Sequence, residues 1–325
     1  VIDPAAAGLG GPAATTGLTG QAAVIAIDVG GATMKCAVID GTGAIRHTQR
    51  HPTGAHRGAE AVVETILSVA EGLAGTARAG DLTPVATGVV VPGVVDEARG
   101  VAVYTANVDF RNVPLRDLVA ARLGLPVALG HDVRAGGLAE ARLGAGRGYE
   151  QVLVVPVGTG IASTYVLGGR TFAGAHSAAG EIGHIVVRPG GPHCGCGGHG
   201  CLEAVASAAA VARTYRQRTG VEATAADVVA RASAGEDAAA RVWRDAIDAL
   251  ADGLLTGLTL FDPQLIVIGG GLAEAVDALL APLSAALTRK LTFQRMPEMA
   301  LAQLGDKAGC LGAGLLTLAL GEAGS

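Results

Sequence analysis

From Ala22 the apolar positions fall into short runs punctuated by glycine. AAVIAIDVGGATMKCAVIDGTGAIRHTQR reads as an apolar strand, a glycine turn, a second strand, the turn Asp40-Gly41-Thr42-Gly43 and a third strand, an antiparallel meander closed by tight turns. AEAVVETILSVAEGLAGTARAG then repeats its apolar residues at helical spacing, which predicts an amphipathic helix. The β-branched run VATGVVVPGVVD predicts a buried strand stopped by Pro92-Gly93. PLRDLVAARLGL is helical in pattern, LPVALG is a short buried strand, and HDVRAGGLAEARLG resumes a helix starting near Asp132. A carboxylate where a strand ends and a helix starts is held rigidly beside a crevice.

The second half repeats the opening in outline. QVLVVPVGTGIASTYVLGG is again strand, glycine turn, strand, so the pattern predicts a duplicated architecture. Helices follow, notably around DAAARVWRDAIDALADGLLTGLTLF, before DPQLIVIGGGLAEAV adds a buried strand, three glycines and a helix start. A last helix near AGCLGAGLLTLAL is expected to pack back onto the first domain. The expected organisation is a flexible leader over residues 1–21, an N-terminal α/β domain over 22–140 plus 306–325, and a C-terminal α/β domain over 141–305.

Composition narrows the function. A chain of 325 residues exceeds one small core and suits two domains. Its 50% hydrophobic content and mean hydropathy of +0.44 would fit a membrane protein, but Ala and Gly supply much of both. Charges or Pro interrupt every long apolar run, so no spanning helix is expected. A net charge of −5 with a pI near 5.9 leaves no footprint for nucleic acid or anionic lipid, and small-molecule chemistry gains by subtraction. The leader VIDPAAAGLGGPAATTGLTGQ lacks the basic start and apolar centre of a secretory signal, which points to the cytoplasm. Thiols stay reduced there and cysteine clusters bind metal more often than they form disulfides; the odd count of five cysteines agrees.

Candidate chemistry begins with three glycine turns that each follow an apolar strand: Asp28-Val29-Gly30-Gly31, Gly158-Thr159-Gly160 and Gly269-Gly270-Gly271. Without a Cβ, backbone N–H groups approach phosphate oxygens closely. Any one such turn is more often structural; three of them, with Asp28 and Lys35 beside the first, point to a nucleotide site. There is no G-x-x-x-x-G-K-[ST] loop, and the first turn leads into a strand instead of the helix a Rossmann unit requires. Phosphoryl transfer needs held phosphates, a metal ion and a carboxylate that takes the attacking hydroxyl's proton. Asp28 would hold Mg²⁺ through water and Asp132 would be the base. The plainer readings are a helix N-cap for Asp132 and a solvated strand residue for Lys35.

Three of the five cysteines stand within eight positions, Cys194-Gly-Cys196 and then Cys201. Thiolates with one imidazole suit tetrahedral Zn²⁺. The spacing does not choose the fourth ligand among His184, His193 and His199. Four protein ligands leave no open position, so the site is read as structural and a zinc hydrolase is disfavoured. Glu181 and His184 precede the cluster and Glu203 follows it, so closing the site draws both glutamates together, where they suit the vicinal hydroxyls of a sugar.

GEIGH followed by CGCGGHGCLE resembles the ROK family pattern (repressor, open reading frame, kinase) of Glu-x-Gly-His and then Cys-x-Cys-Gly-x-x-Gly-Cys-x-Glu, and the resemblance runs from about Ala22 to the C-terminus. It implies the actin-like ATPase (ribonuclease H-like) fold, two α/β domains around a cleft. By the same similarity His184 is the fourth zinc ligand, Glu181, His184 and Glu203 face the sugar, Asp132 is the catalytic base and Asn107 in TANVDF binds sugar. DVGG, with Thr33 and Lys35 behind it, and PVGTG match the phosphate loops, and IGGG, at Gly269 to Gly271, matches the adenosine contact.

Four positions depart from that pattern. Ala32 stands where Thr is usual, with Thr33 one place later; His131 replaces an Asn that touches a sugar hydroxyl; Ala162 and Ser163 stand where glycines are frequent. The implied activity is ATP- and Mg²⁺-dependent phosphorylation of a hydroxyl, a primary one, on a hexose or hexose-like polyol, with glucose leading. His131 motivates the alternative of an N-acetylated amino sugar or a carbocyclic sugar analogue. A non-enzymatic sugar sensor is the other class, since the family includes repressors, but their helix-turn-helix module has no counterpart in the leader. A homodimer or homotetramer is expected.

Overall fold

The computed structural model describes residues 21–105, 107–274 and 276–322; of the expected leader, all but Gln21 lies outside them. The chain divides into two compact units, one holding the residues up to Gly130 and from Ala313, the other His131–Gly312. This division falls ahead of the boundary expected near residue 140, and the helix that begins at Asp132 therefore lies whole in the second unit.

The first unit contains β1 (Ala22–Val29), β2 (Thr33–Asp40), β3 (Ile45–Pro52), α1 (Ala59–Ala79), β4 (Thr83–Val91), β5 (Val94–Asp96), β6 (Val101–Thr105), β7 (Phe110–Val113), α2 (Leu115–Leu123) and most of β8 (Val127–His131). Its main sheet has the order β3-β2-β1-β4-β8, with β1–β2 and β2–β3 antiparallel and β1–β4 parallel. The continuous apolar run of β1 is what a strand covered on both faces requires, and Asp28 is its one residue that is not buried. The 3.6-residue period of α1 turns Val62, Ile66, Ala70 and Leu73 inward onto Ile25, Ile27 and Met34. β5, β6 and β7 form a separate small sheet. The end of β2 is fixed by Asp40, whose Oδ1 accepts N–H groups from Thr42 at 2.8 Å and Ala44 at 3.1 Å.

The second unit contains α3 (Asp132–Leu143), β9 (Gln151–Pro156), β10 (Thr164–Leu167), β11 (Arg170–Thr171), α4 (Leu202–Ala206), α5 (Ala208–Thr219), α6 (Ala225–Ser233), α7 (Asp237–Phe261), β12 (Leu265–Gly269), α8 (Val276–Lys290), β13 (Glu298–Leu301) and the start of α9 (Ala308–Glu322). Its sheet order is β11-β10-β9-β12-β13. The hairpin β9–β10 is antiparallel and β9–β12–β13 is parallel, so the two sheets match strand for strand, as the repeated sequence pattern implies. From Ala313 onward α9 belongs to the first unit. Ala313 lies against Gly88 of β4, where a Cβ would stand 2.0 Å from the Ala313 carbonyl oxygen.

The long helix α7 centres the second core through Trp243, Leu250 and Leu254. Trp243 Nε1–H donates to the Ala278 carbonyl at 3.0 Å, which satisfies its polar edge inside the core. Leu202 of α4 is 1% exposed and packs against Gly253 of α7. Burying such a side chain stabilises by roughly 1.5–3 kcal/mol and anchors the short helix that carries Glu203. No helix among the described residues is long and apolar enough to cross a membrane.

Candidate active site

The cysteine-rich loop folds back on a turn at Ile182–His184. Its two arms pair at Val186 with Cys201 and at His193 with His199, and Leu202 N–H donates to the Ile185 carbonyl at 2.9 Å. The ligand atoms of His184, Cys194, Cys196 and Cys201 all lie within 4.8 Å of one another. Sulfurs about 2.3 Å from a tetrahedral Zn²⁺ stand about 3.8 Å apart. Cys196 Sγ and Cys201 Sγ are separated by 3.7 Å, and Cys194 Sγ lies 3.6 Å from His184 Nδ1, so this donor set fits zinc. His193 and His199 instead meet each other edge to face, ring centroids 5.2 Å apart; of the three histidines that spacing left open, His184 is the one that offers a ring nitrogen among the three sulfurs. Burial first, then the neighbouring thiols, pushes the Cys201 thiol up to about 12, and a bound cation offsets that by holding a thiolate. His184 Nε2 lies 3.8 Å from Glu181 Oε2, the side on which a carboxylate orients a metal-bound imidazole.

Glu203 is the second residue of α4 and reaches the glycine turn after β9: its Oε2 accepts the N–H of Ile161 at 2.9 Å. Gly160 makes this approach possible, since a Cβ there would stand 2.6 Å from the same oxygen. Farther along the helical segment, Ala208 N–H donates to the Gly158 carbonyl at 2.8 Å. The third glycine turn joins the second, as Val157 N–H donates to the Gly269 carbonyl at 2.8 Å and Leu272 N–H to the Val157 carbonyl at 3.0 Å. Gly270 has φ +80°, a conformation that favours glycine. The fold thus gathers Gly158, Thr159 and Gly160 with Gly269, Gly270 and Gly271, beside Glu203. Ser163, one of the departures from the family pattern, is 6% exposed, and its hydroxyl donates to the Gly180 carbonyl at 3.0 Å, bracing the residue before Glu181.

Asp132 opens α3, and its Oδ1 accepts the N–H of Val133 at 2.7 Å. The N-cap is His131, whose Nδ1 accepts the Arg134 N–H at 3.3 Å. The histidine expected to face the acceptor is thus a buried capping residue, 7% exposed, with Nε2 3.5 Å from Asp132 Oδ1. Burial, then the charge of Arg134, lowers its pKa to about 3. The first turn of α3 is tied to β10 by Thr164, whose hydroxyl donates to the Val133 carbonyl at 2.9 Å.

In the first unit, Asp28 and Lys35 stand opposite each other in the β1–β2 register. Between them Gly30 N–H donates to the Thr33 carbonyl at 3.1 Å. Gly31 lies against Asn107, where a Cβ would stand 3.1 Å from that residue's own Cβ; the candidate phosphate loop and the candidate sugar asparagine are neighbours. Thr53, fully buried, ties the loop to β3: its hydroxyl donates to the Gly30 carbonyl at 2.6 Å and its N–H to the Ala32 carbonyl at 2.9 Å. Sequence reading missed Thr53, which carries no local signal. It missed Arg134 too, although His131 three residues earlier has the spacing of an N-cap and its N–H donor.

The ROK family model matches residues 24–319. A glucokinase of Streptomyces coelicolor is 33% identical over 89% of this chain and 95% of its own. The crystal structure of a ROK hexokinase from Thermus thermophilus superposes with a TM-score of 0.82 at 34% identity, covering 92% of this chain and 99% of that one. A ROK family glucokinase from Streptomyces griseus, in complex with glucose and AMPPNP, does so with a TM-score of 0.76 at 31% identity, covering 90% and 98%. The fold is the actin-like ATPase fold of these sugar kinases, and the chain belongs to the ROK family.

Proposed function

We propose that this protein is an ATP-dependent hexose kinase of glucokinase type, transferring the γ-phosphoryl group of Mg·ATP to a primary hydroxyl. The observation that carries the reading is the bond from Ile161 N–H to Glu203 Oε2, which fastens a candidate sugar carboxylate to a candidate phosphate loop. Asp132 takes the hydroxyl proton. The loops at Gly158–Gly160 and at Gly30–Gly31 hold phosphate oxygens through backbone N–H groups, Asp28 and Lys35 attend the metal and phosphate charge, and Gly269–Gly271 holds the adenosine. Glu181, His184, Glu203 and Asn107 bind the sugar hydroxyls. A zinc ion held by His184, Cys194, Cys196 and Cys201 would supply shape alone, because all four of its positions are filled by protein.

Glucose leads as acceptor. The ground for an N-acetylated amino sugar or a cyclitol was His131, and a ring that is buried and caps a helix has little surface to offer a ligand. Coupled assays of ADP release with Mg·ATP over glucose, mannose, N-acetylmannosamine, N-acetylglucosamine and inositol test the reading. A kcat/KM for glucose well above the others is expected. A preference for an amino sugar or cyclitol would transfer the assignment to that acceptor, and absence of turnover with every acceptor, together with saturable sugar binding, would favour a sensor.

A further inference from the structure

His131 departs from the family pattern directly beside the proposed base: one ring nitrogen accepts a hydrogen bond and the other lies close to that carboxylate. The residue is extended, φ −85° and ψ 134°, and its Nδ1 accepts the N–H of Arg134. A ring nitrogen that accepts a hydrogen bond carries no proton, so in the neutral imidazole the proton sits on Nε2. The ring is neutral, since burial and the neighbouring Arg134 charge hold its pKa at about 3. Nε2 lies 3.5 Å from Asp132 Oδ1, a separation of the kind that shortens when substrate is bound. The same Oδ1 takes the Val133 N–H. Arg134 is fixed in turn, 3% exposed, with Nη1 donating to the Ser177 carbonyl at 3.2 Å.

We infer that His131 is a positioning residue for the proposed base: the helix cap locks its ring in the Nε2–H tautomer, and that N–H holds Asp132 by Oδ1, setting the direction in which the carboxylate meets the acceptor hydroxyl. The inference rests on Asp132 being the base. A group in this role acts on turnover through the carboxylate's orientation. It leaves acceptor affinity and the ranking of sugars unchanged, which separates it from a group that touches the sugar.

The test compares His131→Ser with His131→Asn. Serine keeps an N-cap oxygen for Arg134 N–H and removes the ring donor; asparagine keeps the cap and offers amide N–H groups. His131→Ser is expected to lower kcat about tenfold to a hundredfold with KM for glucose near wild type, while the cavity left by the buried ring lowers the melting temperature, and His131→Asn is expected to recover most of the loss in kcat. A raised KM at unchanged kcat, or a changed order of preferred sugars, would overturn the positioning role. Asp132→Asn, assayed in parallel, decides the base on its own: loss of turnover by orders of magnitude supports it and wild-type turnover removes it. Nitrogen-15 imidazole spectra supply a readout independent of turnover. The Nε2–H tautomer with an Nε2 proton shift that moves in Asp132→Asn is expected, and a ring protonated at Nδ1 would overturn the proposal.

Discussion

Ile161 donates its backbone N–H to Glu203 Oε2 at 2.9 Å, so one carboxylate belongs both to the helix behind the cysteine cluster and to the glycine turn after β9. Removing it should disturb the nucleotide as well as the sugar. Glu203→Ala is expected to raise KM for ATP and for glucose together, whereas Glu203→Gln, whose amide oxygen still accepts the Ile161 N–H, should restore KM for ATP more than KM for glucose. Two-substrate steady-state kinetics on both variants check this. A change in KM for glucose alone would mean that the bond does not hold the loop in the working enzyme.

Metal removal reaches the same loop by a longer route. Cys201 is the N-cap of α4, Glu203 lies on it, and Ala208 N–H, just beyond its end, holds the Gly158 carbonyl. Structural zinc sites supply folding free energy directly. Chelation, or Cys201→Ser, is expected to release about one zinc per chain, lower the melting temperature and weaken ATP binding measured by calorimetry. Cobalt substitution should restore turnover and show tetrahedral thiolate absorption. Unchanged ATP affinity in the metal-depleted, still folded protein would uncouple the cluster from the loop.

Two glycines separate close approach from mere helix content. Gly160→Ala would place a Cβ 2.6 Å from Glu203 Oε2, displacing the carboxylate, and is expected to cut kcat/KM by about tenfold or more. Gly75 lies on the exposed side of α1 with nothing near the position of a Cβ. Gly75→Ala there should stabilise by about 0.5–1 kcal/mol, read as a higher denaturation midpoint, with kinetics unchanged. Equal effects of the two substitutions on activity would remove the argument from close contact.

Most of the architecture was legible because its signals are local. The glycine turns at Gly30 and Gly158, the alternation of apolar runs and the helical period of α1 and α7 each lie within one window of sequence. The echo between AIDVGG and VVPVGTG announced the two matching hairpins, β1–β2 and β9–β10, though not the order of the remaining strands. The small β5–β7 sheet was not legible, because strands of three to five residues carry too few alternations to stand out. At the site, Cys194, Cys196 and Cys201 announced a metal and the family resemblance pointed to His184, a choice that spacing alone could not make; in the fold His184 offers its ring nitrogen among the three sulfurs, while His193 pairs with His199 across the loop. Thr53 was invisible since its work is done for backbone carbonyls remote in sequence. His131 was visible as a departure, but its part as a helix cap was not, because identity alone does not say whether a ring nitrogen meets a helix end.

His131 also gives the fold an acid sensitivity whose sign is fixed. Its pKa is about 3 in the folded chain and about 6.5 in an unfolded one. Between those values the unfolded chain holds a proton that the folded chain does not, so stability falls as pH falls. Each unit of pH within the window removes up to about 1.4 kcal/mol through this one group, and above about pH 6.5 the contribution is constant. His131→Asn caps α3 without titrating, so its denaturation midpoint should decline less than that of the wild type between pH 7 and 5, a range above most carboxylate titration. The gap between the two proteins should therefore narrow or invert toward acid, as measured by urea titrations at several pH values. Parallel curves would show that the ring takes up its proton in the folded state, as an exposed histidine would, and would contradict the buried, neutral cap.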